Sequence, residues 1–173
     1  MPKKHLFASC IVLGLAMGVG AAPAMAQSSP PVAVNAPDIQ ESFLQKTVRT
    51  HAFELQTSQL ALERTNTPAV RSMAEQIIKE RSKAKDDLAV LLKSAGITEP
   101  SAALEPGQIQ EIKLMQAAQN QDFDRLYINA MNNTRTESIA SYRSFAAAGS
   151  PSEVRGWAAK TLPTLEQQQI ASK

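Results

Sequence analysis

The sequence predicts an all-α domain: a bundle of four long amphipathic helices, with one short extra helix in the central connection. Three observations carry that prediction. Apolar residues recur at spacings of three and four over long stretches, the period of a helix face. Beyond residue 26 only four glycines remain, Gly96, Gly107, Gly149 and Gly156, and prolines stand mostly between the periodic stretches. Neither strand alternation nor an Asn-Gly or Asp-Gly hairpin turn occurs anywhere.

The first helix is expected from Asp38, which with Glu41 spells a D-x-x-E capping box, to near Asn66. Its stripe reads Leu44, Val48, His51, Leu55, Ser58 and Leu62. Thr67-Pro68 then supplies an N-cap and a proline at the first helical position, where its missing N–H costs nothing. The second stripe is Val70, Met73/Ala74, Ile77, Arg81, Ala84, Leu88 and Leu91, and Gly96 is placed to end the helix in the left-handed conformation. Residues 97–107, with Pro100, Pro106 and Gly107, read as a longer crossing segment. A short helix follows over 108–118, carrying Ile109, Ile112 and Met115. A break at Asn120 or Asp122 leads into a long helix over 123–147, with Phe123, Tyr127, Ala130/Met131, Thr134, Ser138, Tyr142 and Phe145 inward. Ser150-Pro151-Ser152-Glu153 reads as another capping box. The last helix carries Val154, Trp157/Ala158, Thr161, Leu165 and Gln168, with Pro163 expected to kink or restart it. Gln167 to Gln169 reads as a polar, fraying end.

Residues 1–26 have the pattern of a secretory signal: Lys3 and Lys4, an apolar run from Leu6 to Gly20, and an Ala24-Met25-Ala26 cleavage site. The run is short for a spanning helix, so export to the periplasm or beyond is expected rather than anchoring. Cys10 sits inside the apolar run, too early for a lipid anchor. Residues 27–37, with Ser28, Ser29, Pro30 and Pro31, read as a flexible leader before a domain over 38–173. Loss of Lys3 and Lys4 takes the 18 basic residues to 16, against 16 acidic ones, and removes the only cysteine. A formal charge of zero gives no support for a nucleic-acid or anionic-membrane partner. A cysteine-free chain is compatible with an oxidising compartment without any disulfide.

Several short motifs occur in a specific order: Phe43, Glu54, Leu60-Ala61, Pro68-x-Val70, Ala74, Ile77-Ile78, Phe123-Asp124-x-x-Tyr127 and Leu162-Pro163-x-Leu165. Together they resemble the domain of unknown function 4142 family, exported bacterial proteins often labelled outer membrane proteins. The resemblance spans about residues 40–172 and implies a ferritin-like helical bundle. Three departures stand out. Where the family has Asp-His in the second helix this chain has Glu80-Arg81; the family's histidine eight residues after the tyrosine is Arg135; the histidine closing L-P-x-L-x-x-H is Gln168. Imidazole chemistry at those places does not carry over, while Glu54 remains.

The residues that could carry chemistry are few. A di-iron site of the ferritin type needs inward carboxylates and two Glu-x-x-His motifs, and the only histidine after residue 26 is His51. His51 and Glu54, one turn apart, make weak metal candidates with two ligands between them. No thiol, glycine-rich phosphate loop or G-x-S-x-G elbow follows the signal. The mixed-sign run from Lys79 to Asp87 reads as a solvated helix face with local ion pairs. No cofactor is expected. The sequence therefore points to a non-enzymatic exported bundle that binds a periplasmic protein or a small apolar ligand, within envelope or stress physiology. Its alternative is a metal-binding ferritin-like protein with weak oxidoreductase activity. Where family members hold histidines, Glu54 is expected to pair with Arg81, Arg135 or both, with Gln168 in the same inter-helix network.

Overall fold

The structure is a computed structural model that describes residues 36–148 and 152–171. Five helices make it up: α1 (Ala36–Arg64), α2 (Pro68–Ser94), α3 (Pro106–Ala117), α4 (Asn120–Ala147) and α5 (Glu153–Ala171). No strand occurs among the described residues. The signal, its cleavage site and nearly all of the leader lie outside them.

Side-chain contacts fix the directions. Lys46 meets Glu137 and Ser58 meets Tyr127, while Glu54 meets Arg81 and Leu62 meets Arg71, so α4 and α2 both run opposite to α1. Arg143 meets Glu166 and Thr136 meets Gln169, so α5 runs opposite to α4. The long helices thus alternate up, down, down, up, and the parallel pair α2 and α4 requires one long crossover. The crossover is the segment containing α3, which runs along α1 and returns the chain to the end from which α4 starts.

Helix boundaries follow local chemistry. The α1 helix begins at Ala36, two residues before the expected start, so Asp38 lies in its first turn rather than at the cap. A carboxylate there still favours the positive end of the helix dipole. Pro68 opens α2 as its first residue, but the Thr67 hydroxyl makes no cap bond; it donates instead to Asp124 Oδ2 at 2.5 Å. The α2 end is a Schellman motif: Ile97 N–H bonds Leu92 O, Gly96 N–H bonds Lys93 O, and Gly96 has φ +66°. The short helix starts two residues earlier than its stripe suggested, because Glu105 and Gln108 form a reciprocal capping box in front of Pro106. The break falls at Ala118–Gln119, which lets α4 begin at Asn120. Ser152 is the α5 cap, accepting from Arg155 N–H at 3.1 Å; Ser150 and Pro151 of the expected box lie outside the described residues. The α5 helix runs through Pro163.

The core divides into two apolar clusters. One joins Phe43 and Leu44 of α1, Leu88 and Leu92 of α2, Ile139, Tyr142 and Phe145 of α4, and Val154, Ala158 and Leu165 of α5. Its aromatic rings are layered: Phe43 stacks on Phe145 at 4.1 Å, and Tyr142 meets Phe43 edge-on at 5.0 Å. The other joins Phe53, Ala61, Val70, Ala74, Ile77, Phe123, Tyr127, Ala130 and Met131 with Met115 of α3. The α1 stripe differs from its expected form. Leu55 and Leu62 are only half-buried, whereas Thr47, Phe53, Glu54 and Thr57 are buried beside His51 and Ser58. Helix α1 touches α2, α3 and α4, and an element with neighbours on three sides buries polar residues that a single apolar stripe does not reveal.

Candidate functional site

Charged residues fill the level between the two clusters. On α1, His51 and Glu54 lie between Leu44 and Ala61; on α2, Arg81 lies between Ile77 and Leu88; on α4, Arg135 lies between Met131 and Ile139. Helical periodicity puts each on the same inward face as its apolar neighbours.

Glu54 is 1% exposed and Arg81 5%. Arg81 Nε stands 2.5 Å from Glu54 Oε2, and Arg81 Nη2 donates to Glu54 Oε1 at 3.5 Å. The shorter approach is an ionic contact whose N–H is off the line to the oxygen, so neither Glu54 Oε2 nor Arg81 Nε gains a directed hydrogen bond from it. Burial pushes the Glu54 carboxyl above its ordinary range, and the positive charges of Arg81 and Arg135 pull against that rise. Arg135 does not touch Glu54. It donates from Nη1 to Gln168 Oε1 at 2.5 Å and lies 4.0 Å from Glu80 Oε2. Its guanidinium is pushed down by burial and by Arg81, against the opposing pull of Glu54 and Glu80.

The network therefore has two linked arms, Glu54–Arg81 across α1 and α2, and Glu80–Arg135–Gln168 across α2, α4 and α5. Glu80 is the member that sequence reasoning missed. It belongs to the mixed-charge run read as a solvated face, yet it is half-buried, while Lys83 and Asp87 of that run form an exposed i,i+4 pair at 2.6 Å. Its place one turn after Ile77 on the inward stripe was the available signal. Gln168 and Gln169 also do not form a free polar end, since Gln169 Nε2 donates to Thr136 Oγ1 at 3.1 Å.

His51 is 7% exposed, and burial followed by the nearby Arg81 charge lowers its pKa to about 3. A neutral imidazole is a competent ligand, but the second donor, Glu54, is held by Arg81. Among the described residues no three His, Cys, Asp or Glu side chains are placed to hold an ion. The donor set does not fit a di-iron or comparable metal centre. Toward the Met131 cluster, Tyr127 and Ser58 share a buried hydrogen bond of 2.9 Å. Burial raises the Tyr127 phenol to about 12.

Open space lies elsewhere. A groove of about 570 Å³ runs between α1, α3 and α4, with Lys46, Arg49, Glu105, Glu111, Asn133 and Glu137 among its lining residues and Phe53 and Ala130 at its floor.

The profile of the family described as "Domain of unknown function (DUF4142)" matches residues 22–172. The chain belongs to that family. No curated protein matches the sequence. Two solved structures share the DUF4142 chain's fold. CopM in its Cu(II)-bound form aligns with a TM-score of 0.63 at 14% identity, over 77% of this chain and 92% of its own. A Streptomyces coelicolor protein described as a secreted DUF305 protein aligns with a TM-score of 0.63 at 12% identity, over 78% of this chain and 88% of its own. At such identities the likeness is one of fold. It places this DUF4142 chain among all-α bundles.

Proposed function

We propose that this DUF4142 protein is exported to the periplasm or beyond and acts by binding a partner rather than by catalysis. The observation that supports this reading best is the charge network. The polar centre of the bundle, where a ferritin-type centre would need free carboxylates and histidines, is occupied by the chain's own Arg81 and Arg135. Export is supported by the Lys3-Lys4, apolar-run and Ala24-Met25-Ala26 pattern. A DUF305 relative in fold is described as secreted, and no described helix is long and apolar enough to cross a membrane. The α1/α3/α4 groove, with its mixed polar and apolar lining, suits a partner protein or peptide better than a small apolar ligand.

The alternative, a metal-binding bundle, is favoured by one observation, the Cu(II) held by a protein of similar fold. Metal analysis separates the two. Purified protein incubated with iron, zinc, manganese or copper and then desalted should retain well under one ion per chain. Stoichiometric metal, lost in His51→Asn or Glu54→Gln, would establish the alternative. Intact-mass measurement on protein from the periplasm should begin at Gln27, and an uncleaved chain in the cytoplasm would remove the export reading.

A further inference from the structure

The α3 helix is attached to the bundle very differently at its two ends. At its C-terminal end Met115 is 2% exposed and packs into the Phe123–Tyr127 cluster. There the Arg64 guanidinium donates to the carbonyls of Gln116 and Ala118, both at 2.7 Å, and lies 5.6 Å over the Phe123 ring. Carbonyls in the last turn of a helix carry partial negative charge and lack intrahelical partners, so a cation held against them is a firm anchor.

At the N-terminal end no α3 side chain is buried, and Ile109 is 43% exposed. The hold there is mostly polar and at the surface, with Leu104 partly buried against the Met115 cluster. Arg49 pairs with the Glu105 carboxylate and donates from Nε to Ala103 O at 3.1 Å, and Gln45 Nε2 donates to Ser101 O at 2.5 Å. Beneath this end, and lined by Gly107, Gln108 and Glu111, lies the groove of about 570 Å³ over Phe53 and Ala130. A space of that size is comparable to known ligand sites. Non-helical chain on both sides, 95–105 and 118–119, leaves the N-terminal turns of the helix free to lift and fray.

We propose that α3 is a hinged strap over the groove, pivoting at Met115 and Arg64 and latched by Arg49 on Glu105. Lifting the latched end breaks surface polar contacts and the partly buried packing of Leu104 but leaves the Met115 anchor seated, so segment 98–111 opens independently of the four long helices. The strap extends the binding reading by naming the entrance to the groove. Its motion is measured without any ligand, so it stands or falls separately from that reading.

The test uses Ala130→Cys, at the groove floor, in a Cys10→Ser background, with a maleimide as the thiol probe. The cysteine should label slowly, and Arg49→Ala should accelerate labelling about tenfold or more. Lys113→Ala, an exposed α3 substitution away from the latch, should leave the rate unchanged. Equal rates with and without Arg49 would overturn the proposal. Because Ala130 is itself buried, hydrogen exchange on the full chain provides the second readout. Arg49→Ala should speed exchange of the bonded amides in 108–112 about tenfold while those of α2 and α5 stay as they were. An unchanged strap, or faster exchange spread over all helices, would overturn it as well.

Discussion

Glu54 and Arg81 form an ion pair at 2.5 Å with both partners nearly sealed from solvent. Taking two charges out of water costs several kcal/mol each, and the pair is tolerable only while both members are present. Their burial between two apolar clusters makes the pair a register mark: any slip of α2 along α1 would strand each charge in hydrocarbon.

The second arm of the network is more solvated and should be worth less. Arg135 is half-buried as a residue and 4.0 Å from Glu80, with its one short bond to Gln168. Removing it in Arg135→Ala leaves Glu80 Oε2, already without a hydrogen-bond partner, lacking a cation as well. A loss of about 1–2 kcal/mol is expected, a fall in Tm of roughly 3–8 °C for a domain of this size, read by thermal denaturation.

His51 should make the protein sensitive to acid. Its pKa falls from 6.5 to about 3 on folding, so between those values the unfolded chain takes up a proton that the folded one refuses. Its contribution to stability is therefore present above about pH 6.5 and is lost as pH falls, at about 1.4 kcal/mol per pH unit. Glu54 acts in the opposite sense, because its raised pKa makes the folded chain hold a proton that the unfolded chain sheds above 4.5. Comparing wild type with His51→Asn isolates the histidine. Between pH 6.5 and 4.5 the wild type should lose about 2 kcal/mol relative to the variant in urea titrations. Parallel profiles would show that His51 protonates in the folded state.

The Tyr127–Ser58 bond predicts an asymmetry. Tyr127→Phe keeps the ring in its cluster but leaves the Ser58 hydroxyl, which is 0% exposed, without its partner. It should cost about 1–3 kcal/mol. Adding Ser58→Ala removes the stranded hydroxyl and should restore part of that loss. Chemical denaturation of the single and double variants measures both steps.

Gly96 is the described glycine at positive φ, and the Schellman motif depends on it. A Cβ there meets nothing within 4 Å, so Gly96→Ala is penalised by backbone conformation alone. The expected loss is about 1–2 kcal/mol. Gly156→Ala is a useful contrast, because it lies in α5 with open space around the new methyl group. It should be neutral or slightly stabilising.

Helix number, order and approximate ends could be read from the sequence because punctuation is local: Pro68, Gly96 and Pro106 act through their own φ angles and hydrogen bonds. The Val70–Ile77–Arg81–Leu88 stripe of α2 was legible for the same reason, since a single inward face has one period. The α1 interior was not. Thr47, Phe53, Glu54 and Thr57 are buried because α2, α3 and α4 surround that helix, which is a property of tertiary packing rather than of its own pattern. Glu54 meeting Arg81 followed from shared inward positions on neighbouring helices. Arg135 meeting Glu80 rather than Glu54 did not, because which of two carboxylates a long guanidinium reaches depends on the relative height of three helices. The groove beneath α3 was invisible to sequence, as it arises from where a short crossover helix settles.

The claim that the polar centre is a structural charge pair rather than an ion-binding centre is tested most directly by thermal denaturation of Glu54→Met, Arg81→Met and the double variant. Each single substitution leaves one buried charge unpaired and should cost roughly 3–5 kcal/mol, about 10 °C in Tm. The double variant replaces both charges with apolar chains of similar length and should recover most of the loss, melting within a few degrees of wild type or above it. A double variant that melts at the sum of the two single losses would contradict the account, because Glu54 and Arg81 would then act independently.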